Sequence, residues 1–141
     1  MKYRVHLKLS IILIGVCCNS AAQEKKLSGK IIDQHLNPLP WVLIQTLDST
    51  YYTNTNENGL YSLNLPEKTK KVKIKCIGME TEVIKINNYC HFDIILLDDI
   101  IVEFETNNQH IKSYKKRKKE LPKLYKESIK KGILLGKRKC R

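Results

Sequence analysis

The sequence lacks several features from which a function could be read. After the first 22 residues, no apolar run approaches the roughly 20 residues that a membrane-spanning helix needs. A glycine-rich phosphate-binding loop is also missing, because Gly29, Gly59 and Gly78 stand alone in the sequence. No internal repeat is visible, and no group of residues has the spacing of a catalytic site. The sequence therefore gives no sign of a membrane channel, a P-loop enzyme or a repeat protein.

The first 22 residues have the composition of a secretory signal peptide. Basic side chains at Lys2, Arg4 and Lys8 precede the apolar run 9–18, and the small residues 20–22 follow it. We therefore predict an exported protein, in the periplasm or at the outer-membrane periphery, whose mature chain begins at Gln23. Two alternatives stay open at this point. The segment could be retained as an anchor, or Cys17 or Cys18 could be a lipoprotein cysteine.

Cleavage at this site would leave three cysteines, Cys76, Cys90 and Cys140. Export permits disulfides, but an odd number of cysteines cannot pair completely within one chain. Cys76 and Cys90 form the local option for a disulfide. In the alternative interpretation, Cys76 is an unpaired residue of a buried strand.

Positive charge is concentrated in the last part of the chain. Residues 109–141 contain 14 Lys and Arg against 2 Glu, whereas residues 23–108 contain 9 Lys against 12 Asp and Glu. The net charge of +12 is therefore predicted to belong to a basic tail, and the preceding domain is slightly acidic.

The middle of the chain predicts an all-β fold. Short segments that are rich in branched and aromatic residues alternate with turn residues, and no helical period is present. The predicted strands are residues 27–33, 41–46, 50–55, 60–65, 71–77, 80–86 and 92–97. Asn56–Gly59 is predicted to be a hairpin turn, because Asn-Gly readily adopts positive φ angles. We expect residues 23–98 to form a small antiparallel seven-stranded β-sandwich.

Residues beyond the sandwich have a different pattern. Residues 99–108 are predicted to be an extended linker or an edge strand, and residues 109–141 a basic, partly helical tail outside the sandwich. Apolar residues recur at near-helical spacing in this tail. Pro122 suits the first turn of a helix that Gly132 could end, so we predict one or two helices with a break near Leu121.

The turn residues carry a resemblance to a known family. Their order and spacing resemble those of the carboxypeptidase regulatory-like domain, a transthyretin-like sandwich found in exported envelope proteins of Gram-negative bacteria. The matching residues are Gly29, Ile31, Asp33, Pro38, Leu39, Pro40, Thr55, Asn58, Gly59, Tyr61 and Gly78. Two positions depart from the family pattern: Trp41 stands where a glycine usually follows Pro-Leu-Pro, and Met79 replaces an aromatic residue. The first departure predicts a loop of different shape.

A second resemblance concerns the segment that follows the last predicted strand. Leu97-Asp98-Asp99-Ile100-Ile101-Val102 resembles the segment that joins this domain to the plug of TonB-dependent outer-membrane receptors. The resemblance implies contact with the energy-transducing partner, although no plug or barrel segment follows in this sequence. An association with TonB-dependent transport is therefore an alternative interpretation of this chain.

The residues argue against an enzyme. A zinc peptidase needs closely spaced His and Glu ligands, and none of His35, His91 and His110 stands three residues from a glutamate. Cys90-His91 with Cys76 lacks a fourth metal ligand, and no third group orients a Cys-His pair for catalysis. We predict no catalytic residues, no metal and no cofactor.

The basic clusters are the clearest binding signal in the sequence. They comprise Lys115, Lys116, Arg117, Lys118 and Lys119, followed by Lys137, Arg138 and Lys139. Such runs attract anionic partners with an affinity that falls as salt rises. In an exported protein the expected partners are anionic lipids or lipopolysaccharide, and nucleic acid is disfavoured. We predict a non-catalytic interaction module of the cell envelope, with an unidentified protein partner.

Overall fold

The computed structural model describes residues 23–99 and 107–140, which form nine strands and two helices. The strands are β1 (Glu24–Asp33), β2 (Leu43–Gln45), β3 (Tyr52–Asn54), β4 (Leu60–Pro66), β5 (Lys71–Lys75), β6 (Glu82–Lys85), β7 (Tyr89–Phe92), β8 (Ile94–Leu96) and β9 (Lys137–Lys139). The helices are α1 (Asn107–Lys118) and α2 (Leu121–Lys130). The predicted signal peptide lies outside the described residues.

The strands form two sheets with one apolar core between them. The first sheet has the order β4-β1-β7-β9, with β8 also paired to β1, and the second has the order β3-β2-β5-β6. Alternate residues of both sheets point into the core, as shown by Leu27 and Ile31 of β1 and by Ile44 and Ile74 of the second sheet, all fully buried. The predicted sandwich is therefore confirmed as an architecture.

The number and direction of the strands differ from the prediction. The seven predicted strands correspond to β1–β6 and β8, whereas β7 and β9 were not predicted. Both β7 and β8 run parallel to β1, so the first sheet is not wholly antiparallel. The chain between them is interrupted at Asp93, whose carboxylate accepts a hydrogen bond from the backbone N–H of Lys30 at 2.8 Å. A polar side chain thus takes the place of a ladder hydrogen bond at the break between β7 and β8.

The predicted hairpin at residues 56–59 is also wrong in its connectivity. The turn itself forms, with Gly59 at φ +72° and its N–H bonded to the carbonyl of Asn56. However, β3 pairs with β2, whereas β4 pairs with β1. The turn therefore carries the chain from the second sheet to the first instead of joining two neighbouring strands. Turn chemistry fixed the local geometry but not the partner of the following strand.

The two predicted helices form, with their break before Leu121, but the basic tail does not lie outside the sandwich. Helix α2 covers the outer face of the first sheet, where Ile32, Ile95 and Leu134 form a second buried cluster. The hydroxyl oxygen of Tyr125 accepts a hydrogen bond from the N–H of Ile95 at 2.9 Å, and burial raises the pKa of Tyr125 to about 12. Neither described helix is long and apolar enough to cross a membrane.

Asp93 also fastens the segment after α2. Its side chain is almost fully buried, and its Oδ2 accepts hydrogen bonds from the N–H groups of Leu135 and Gly136 at 2.6 and 2.9 Å. Because Oδ1 is bonded to Lys30, one carboxylate joins β1 to the approach to β9. His91 Nε2 lies 3.0 Å from Oδ1. This cluster is therefore an attachment point for the C-terminal segment.

The disulfide connects different cysteines from the predicted local pair. Cys90 of β7 is bonded to Cys140, which follows β9, with 4.8 Å between their Cα atoms. Cys76 is an unpaired, half-buried residue packed against the core, and burial raises the pKa of its thiol. The Cys76–Cys90 option is wrong because β9 pairs with β7 and brings Cys140 beside Cys90.

Candidate interaction surfaces

Several motif residues meet where β4, β1 and β7 lie side by side. Gly29 of β1 is opposite Tyr61 of β4, and the Tyr61 hydroxyl donates a hydrogen bond to the carbonyl oxygen of Phe92 at 2.7 Å. A Cβ at Gly29 would overlap that carbonyl and touch the tyrosine ring. The ring thus crosses β1 only because Gly29 has no side chain. These two residues hold three strands together and form no binding site.

A second group of motif residues shapes the loop after β1. Both Asp33 oxygens accept hydrogen bonds within the loop, Oδ1 from the N–H groups of His35 and Asn37, each at 2.8 Å. Pro38 forms an isolated bridge with Ile32, and the N–H of Leu39 donates to the carbonyl of Ile31 at 3.0 Å. The loop is folded back on β1 by these bonds, so its motif residues are structural.

The remaining motif residues lie in turns. Gly59 is required for two reasons. It adopts a positive φ, and a Cβ at this position would overlap the carbonyl oxygen of Ile31. The N–H of Asn58 donates to the Asn56 side-chain oxygen at 3.0 Å. Gly78 has φ +75° beside the fully exposed Ile77, with open space around its Cα. No motif residue lines a pocket with reactive groups.

Trp41, which replaces the usual glycine after Pro40, keeps the backbone conformation of a glycine. Its φ is +59°, and its N–H donates to the carbonyl of Thr55 at 3.1 Å. The predicted difference in loop shape stays a prediction, but at this position the backbone adopts the positive φ that glycine favours. The side chain is 75% exposed, so core packing does not explain a large aromatic residue in a strained conformation.

We expect the Trp41→Gly variant to be more stable than Trp41→Ala by about 1 kcal/mol. Both variants remove the exposed indole, but only glycine adopts this φ without strain. Urea denaturation of both variants measures the difference in free energy of unfolding. Equal stability, or a more stable alanine variant, would show that the positive φ is not present in solution.

In the segment 97–102, which resembles part of TonB-dependent receptors, residues 97–99 are hydrogen-bonded to the sandwich. The Leu97 carbonyl accepts from the N–H of Glu80, and the Asp99 N–H donates to the carbonyl of Gly78, each at 2.9 Å. The Asp98 carboxylate accepts from the side chain of Gln34 at 2.7 Å. Ile100, Ile101 and Val102 lie outside the described residues. Contact of this segment with a transport partner stays a prediction.

The five predicted cations at the end of α1 and just after it do not act as one exposed cluster. Arg117 Nη1 donates to the carbonyl of Asp98 at 2.7 Å, and Lys118 Nζ bonds both oxygens of Glu82 at 2.9 and 3.0 Å. These two residues attach α1 to the sandwich, whereas Lys115, Lys116 and Lys119 are exposed. Two of the five cations therefore make contacts within the protein.

The cations of β9 lie on the edge of the first sheet. All three residues of the strand are exposed, and Lys137 Nζ stands 4.3 Å from the centre of the Phe92 ring. That cation–π contact orients Lys137 toward β7. Arg138 and Lys139 extend the positive edge next to the disulfide.

The second sheet carries a further basic surface on the face turned away from the core. Lys73 and Lys75 point outward beside Lys71, and Lys71 is directly opposite Lys85 of β6. We call Lys71, Lys73, Lys75 and Lys85 the basic sheet face. The other outward residues of the sheet are Leu43, Gln45, Tyr52, Asn54 and Val83, so no acidic residue interrupts the face. Sequence alternation placed three of these lysines outward, and Lys85 lies in the strand predicted at residues 80–86, but its position opposite Lys71 was not predicted.

The histidines and cysteines of the described chain are not arranged as a catalytic pair. Cys90 is committed to the disulfide, so the Cys90-His91-Cys76 metal set cannot form with a free thiolate at Cys90. His91 is beside the buried Asp93, which already accepts three backbone hydrogen bonds. His35 is largely exposed, 3.7 Å from Asp98. His110 belongs to a cluster with Glu80 and Asp99.

The sequence model of the CarboxypepD_reg-like domain matches residues 27–107, more than half of the chain. The chain belongs to the CarboxypepD_reg-like family. Domains of this family are non-catalytic regulatory modules, in agreement with the sandwich and with the structural roles of Gly29, Asp33 and Tyr61. No curated protein matches the chain.

The CarboxypepD_reg-like match ends at the start of α1, but the folded structure continues. Helix α2, Leu134 and β9 complete the outer layer and one edge of the first sheet. The predicted division of the chain at residues 98 and 108 stays a prediction about domain boundaries. In packing terms, the residues after α1 belong with the sandwich.

Proposed function

We propose that this CarboxypepD_reg-like protein is a non-catalytic, exported interaction module of the bacterial cell envelope that binds an anionic surface. The observation that carries the proposal is the basic sheet face. Its four lysines project from one face of the second sheet, with no carboxylate among the outward positions of β2, β3, β5 and β6. The expected ligand surface carries anionic lipid or lipopolysaccharide head groups.

Charge repulsion supports a binding role for this face. Lys71 and Lys85 are directly opposed on paired antiparallel strands, an arrangement that destabilises a sheet by a few tenths of a kcal/mol or more. The repulsion is relieved when an anionic surface neutralises the lysines. Each cation near such a surface contributes roughly 1 kcal/mol at moderate salt. Four lysines on one face are therefore sufficient for reversible attachment.

Helix α1 supplies a second basic surface. Lys115 and Lys116 are exposed on the helix and Lys119 directly after it, and Lys118 and Arg117 attach the helix to the sandwich. The cations are consequently held on an ordered element, which reduces the entropy lost on binding. The Cys90–Cys140 disulfide supports export, since such bonds persist in oxidising compartments.

The test measures co-sedimentation of residues 23–141 with vesicles that contain either neutral or anionic lipids. We expect binding to anionic vesicles only, with an affinity that falls as salt rises. Replacing Lys71, Lys73 and Lys75 by glutamine should weaken binding about tenfold or more, because three favourable contacts are lost. The α1 variant with Lys115, Lys116 and Lys119 replaced by glutamine should have a smaller effect.

A matched control removes the same charge from α2. Lys123, Lys126 and Lys130 are exposed, and their replacement by glutamine lowers the net charge by the same three units. If this variant weakens binding as much as the sheet-face variant, attraction depends on total charge and the basic sheet face has no special role. Equal binding to neutral vesicles would refute the anionic-surface proposal.

A further inference from the structure

Glu80, Asp99 and His110 meet at one end of the sandwich. Glu80 precedes β6, Asp99 follows β8, and His110 lies in the first turns of α1. His110 Nε2 is 3.4 Å from Glu80 Oε1 and 3.3 Å from Asp99 Oδ1. One ligand atom from each residue lies within 4.8 Å of the other two. Three separate elements thus contribute to one small cluster of nitrogen and oxygen ligands.

Several polar atoms in and beside this cluster have ion-pair contacts but no hydrogen bond. Among the described residues, five buried side-chain polar atoms have no hydrogen bond, and four of them are here. They are Glu80 Oε1, His110 Nε2, and Nε and Nη2 of Arg117. Buried polar atoms are normally satisfied, and a group of unsatisfied ones calls for a missing ion or water. The side chains of Glu80 and His110 are only 16% and 30% exposed, so bulk water does not replace those bonds fully.

The two distances from His110 Nε2 fit a tetrahedral metal ion, and the third pair of ligand atoms, from Glu80 and Asp99, lies within 4.8 Å. Zinc binds nitrogen and oxygen at about 2.0–2.2 Å, so two ligand atoms at a tetrahedral centre are about 3.3–3.6 Å apart. Both distances from His110 Nε2 fall in this range. They are longer than an ordinary charged hydrogen bond of about 2.7–2.9 Å. We propose that Glu80, Asp99 and His110 bind a divalent transition-metal ion, tested as Zn²⁺, which fastens α1 to the sandwich.

The charges around the cluster are compatible with a divalent cation. Two carboxylates and a neutral imidazole contribute a charge of −2, and the Arg117 guanidinium, 3.9 Å from Glu80 Oε1, reduces this to −1. A divalent ion removes the repulsion between the carboxylates. Water supplies the fourth ligand. Its oxygen can accept a hydrogen bond from Nε or Nη2 of Arg117, which have no other hydrogen bond. Arg117 is therefore a neighbour of the metal site and not a ligand.

The test uses residues 23–141 with Cys76→Ser, which removes the free thiol as a competing zinc ligand. After chelator treatment and dialysis, titration calorimetry with ZnCl₂ should give saturable binding of one equivalent. The thermal midpoint should rise with zinc, because the ion binds only the folded cluster. His110→Gln and Asp99→Asn should each weaken binding by about 100-fold.

His35→Gln is the matched control, because His35 also lies beside a carboxylate but outside the cluster. Its zinc affinity should equal that of the parent. Absence of saturable binding would overturn the proposal, as would binding that survives both His110→Gln and Asp99→Asn. If His110→Gln lowers the thermal midpoint while zinc does not bind the parent, the cluster is an ion pair of a charged histidine, and the metal site is rejected.

Discussion

Replacement of Cys140 by serine should lower the free energy of unfolding by about 4 kcal/mol. The Cys90–Cys140 disulfide closes a loop with a sequence separation of 50, and the chain-entropy estimate for such a loop lies between about 3 and 4.7 kcal/mol. For a domain of this size, that loss corresponds to a fall of roughly 15 °C or more in the thermal midpoint. Calorimetry of the oxidised parent and the variant measures both quantities.

Cys76→Ser is the control for the disulfide prediction. It makes the same cysteine-to-serine change at a half-buried free thiol and leaves Cys90–Cys140 intact, so its destabilisation should be much smaller than that of Cys140→Ser. Reductant should destabilise the parent and the Cys76→Ser variant alike but leave Cys140→Ser unchanged. If Cys76→Ser were the more damaging substitution, the native disulfide would involve Cys76 instead of Cys140.

Replacement of Asp93 by alanine should destabilise the protein by about 3–5 kcal/mol. The substitution leaves the N–H groups of Lys30, Leu135 and Gly136 without their acceptor, and the cost per partly buried group lies toward the lower end of roughly 1–3 kcal/mol. Asp93→Asn should be intermediate, because its amide oxygen can still accept bonds while its NH₂ group meets backbone donors. Urea denaturation should therefore order the stabilities as parent, Asp93→Asn, Asp93→Ala.

Limited trypsin digestion provides a second readout for Asp93. Loss of the bonds to Leu135 and Gly136 should loosen the approach to β9, so cleavage around Lys130 and Lys137 should be faster in Asp93→Ala. Glu57→Gln, in an exposed turn, serves as the control and should change neither stability nor cleavage. Equal cleavage rates for parent and Asp93→Ala would show that this carboxylate does not fasten the segment.

Local features of the fold were readable from the sequence because they depend on neighbouring residues. Alternation identified β5, turn chemistry identified the bend at Gly59, and Pro122 with Gly132 identified the limits of α2. These signals come from backbone sterics and from burial on one face. They need no knowledge of distant partners.

The features that the sequence did not predict depend on contacts between residues that are far apart in the chain. Strand β9 is three exposed basic residues with no apolar alternation, and it becomes a strand only because β7 offers an unpaired edge. The same pairing places Cys140 beside Cys90, with which it forms the disulfide. Asp93 has no local signal for its three hydrogen bonds, and Glu80, Asp99 and His110 are brought together by three elements. Pairings of this kind are fixed by tertiary structure and leave no local pattern.

The position of β9 has a consequence for biogenesis. A chain that emerges from a ribosome or a translocation pore in sequence order exposes β7 long before residues 137–139 are available to cover its edge. During that interval Cys90 has no native partner thiol, and Cys76 is within reach for an incorrect crosslink. Formation of the native disulfide therefore has to wait until Cys140 is available, and early oxidation of Cys90 with Cys76 would trap the chain in an incorrect pairing.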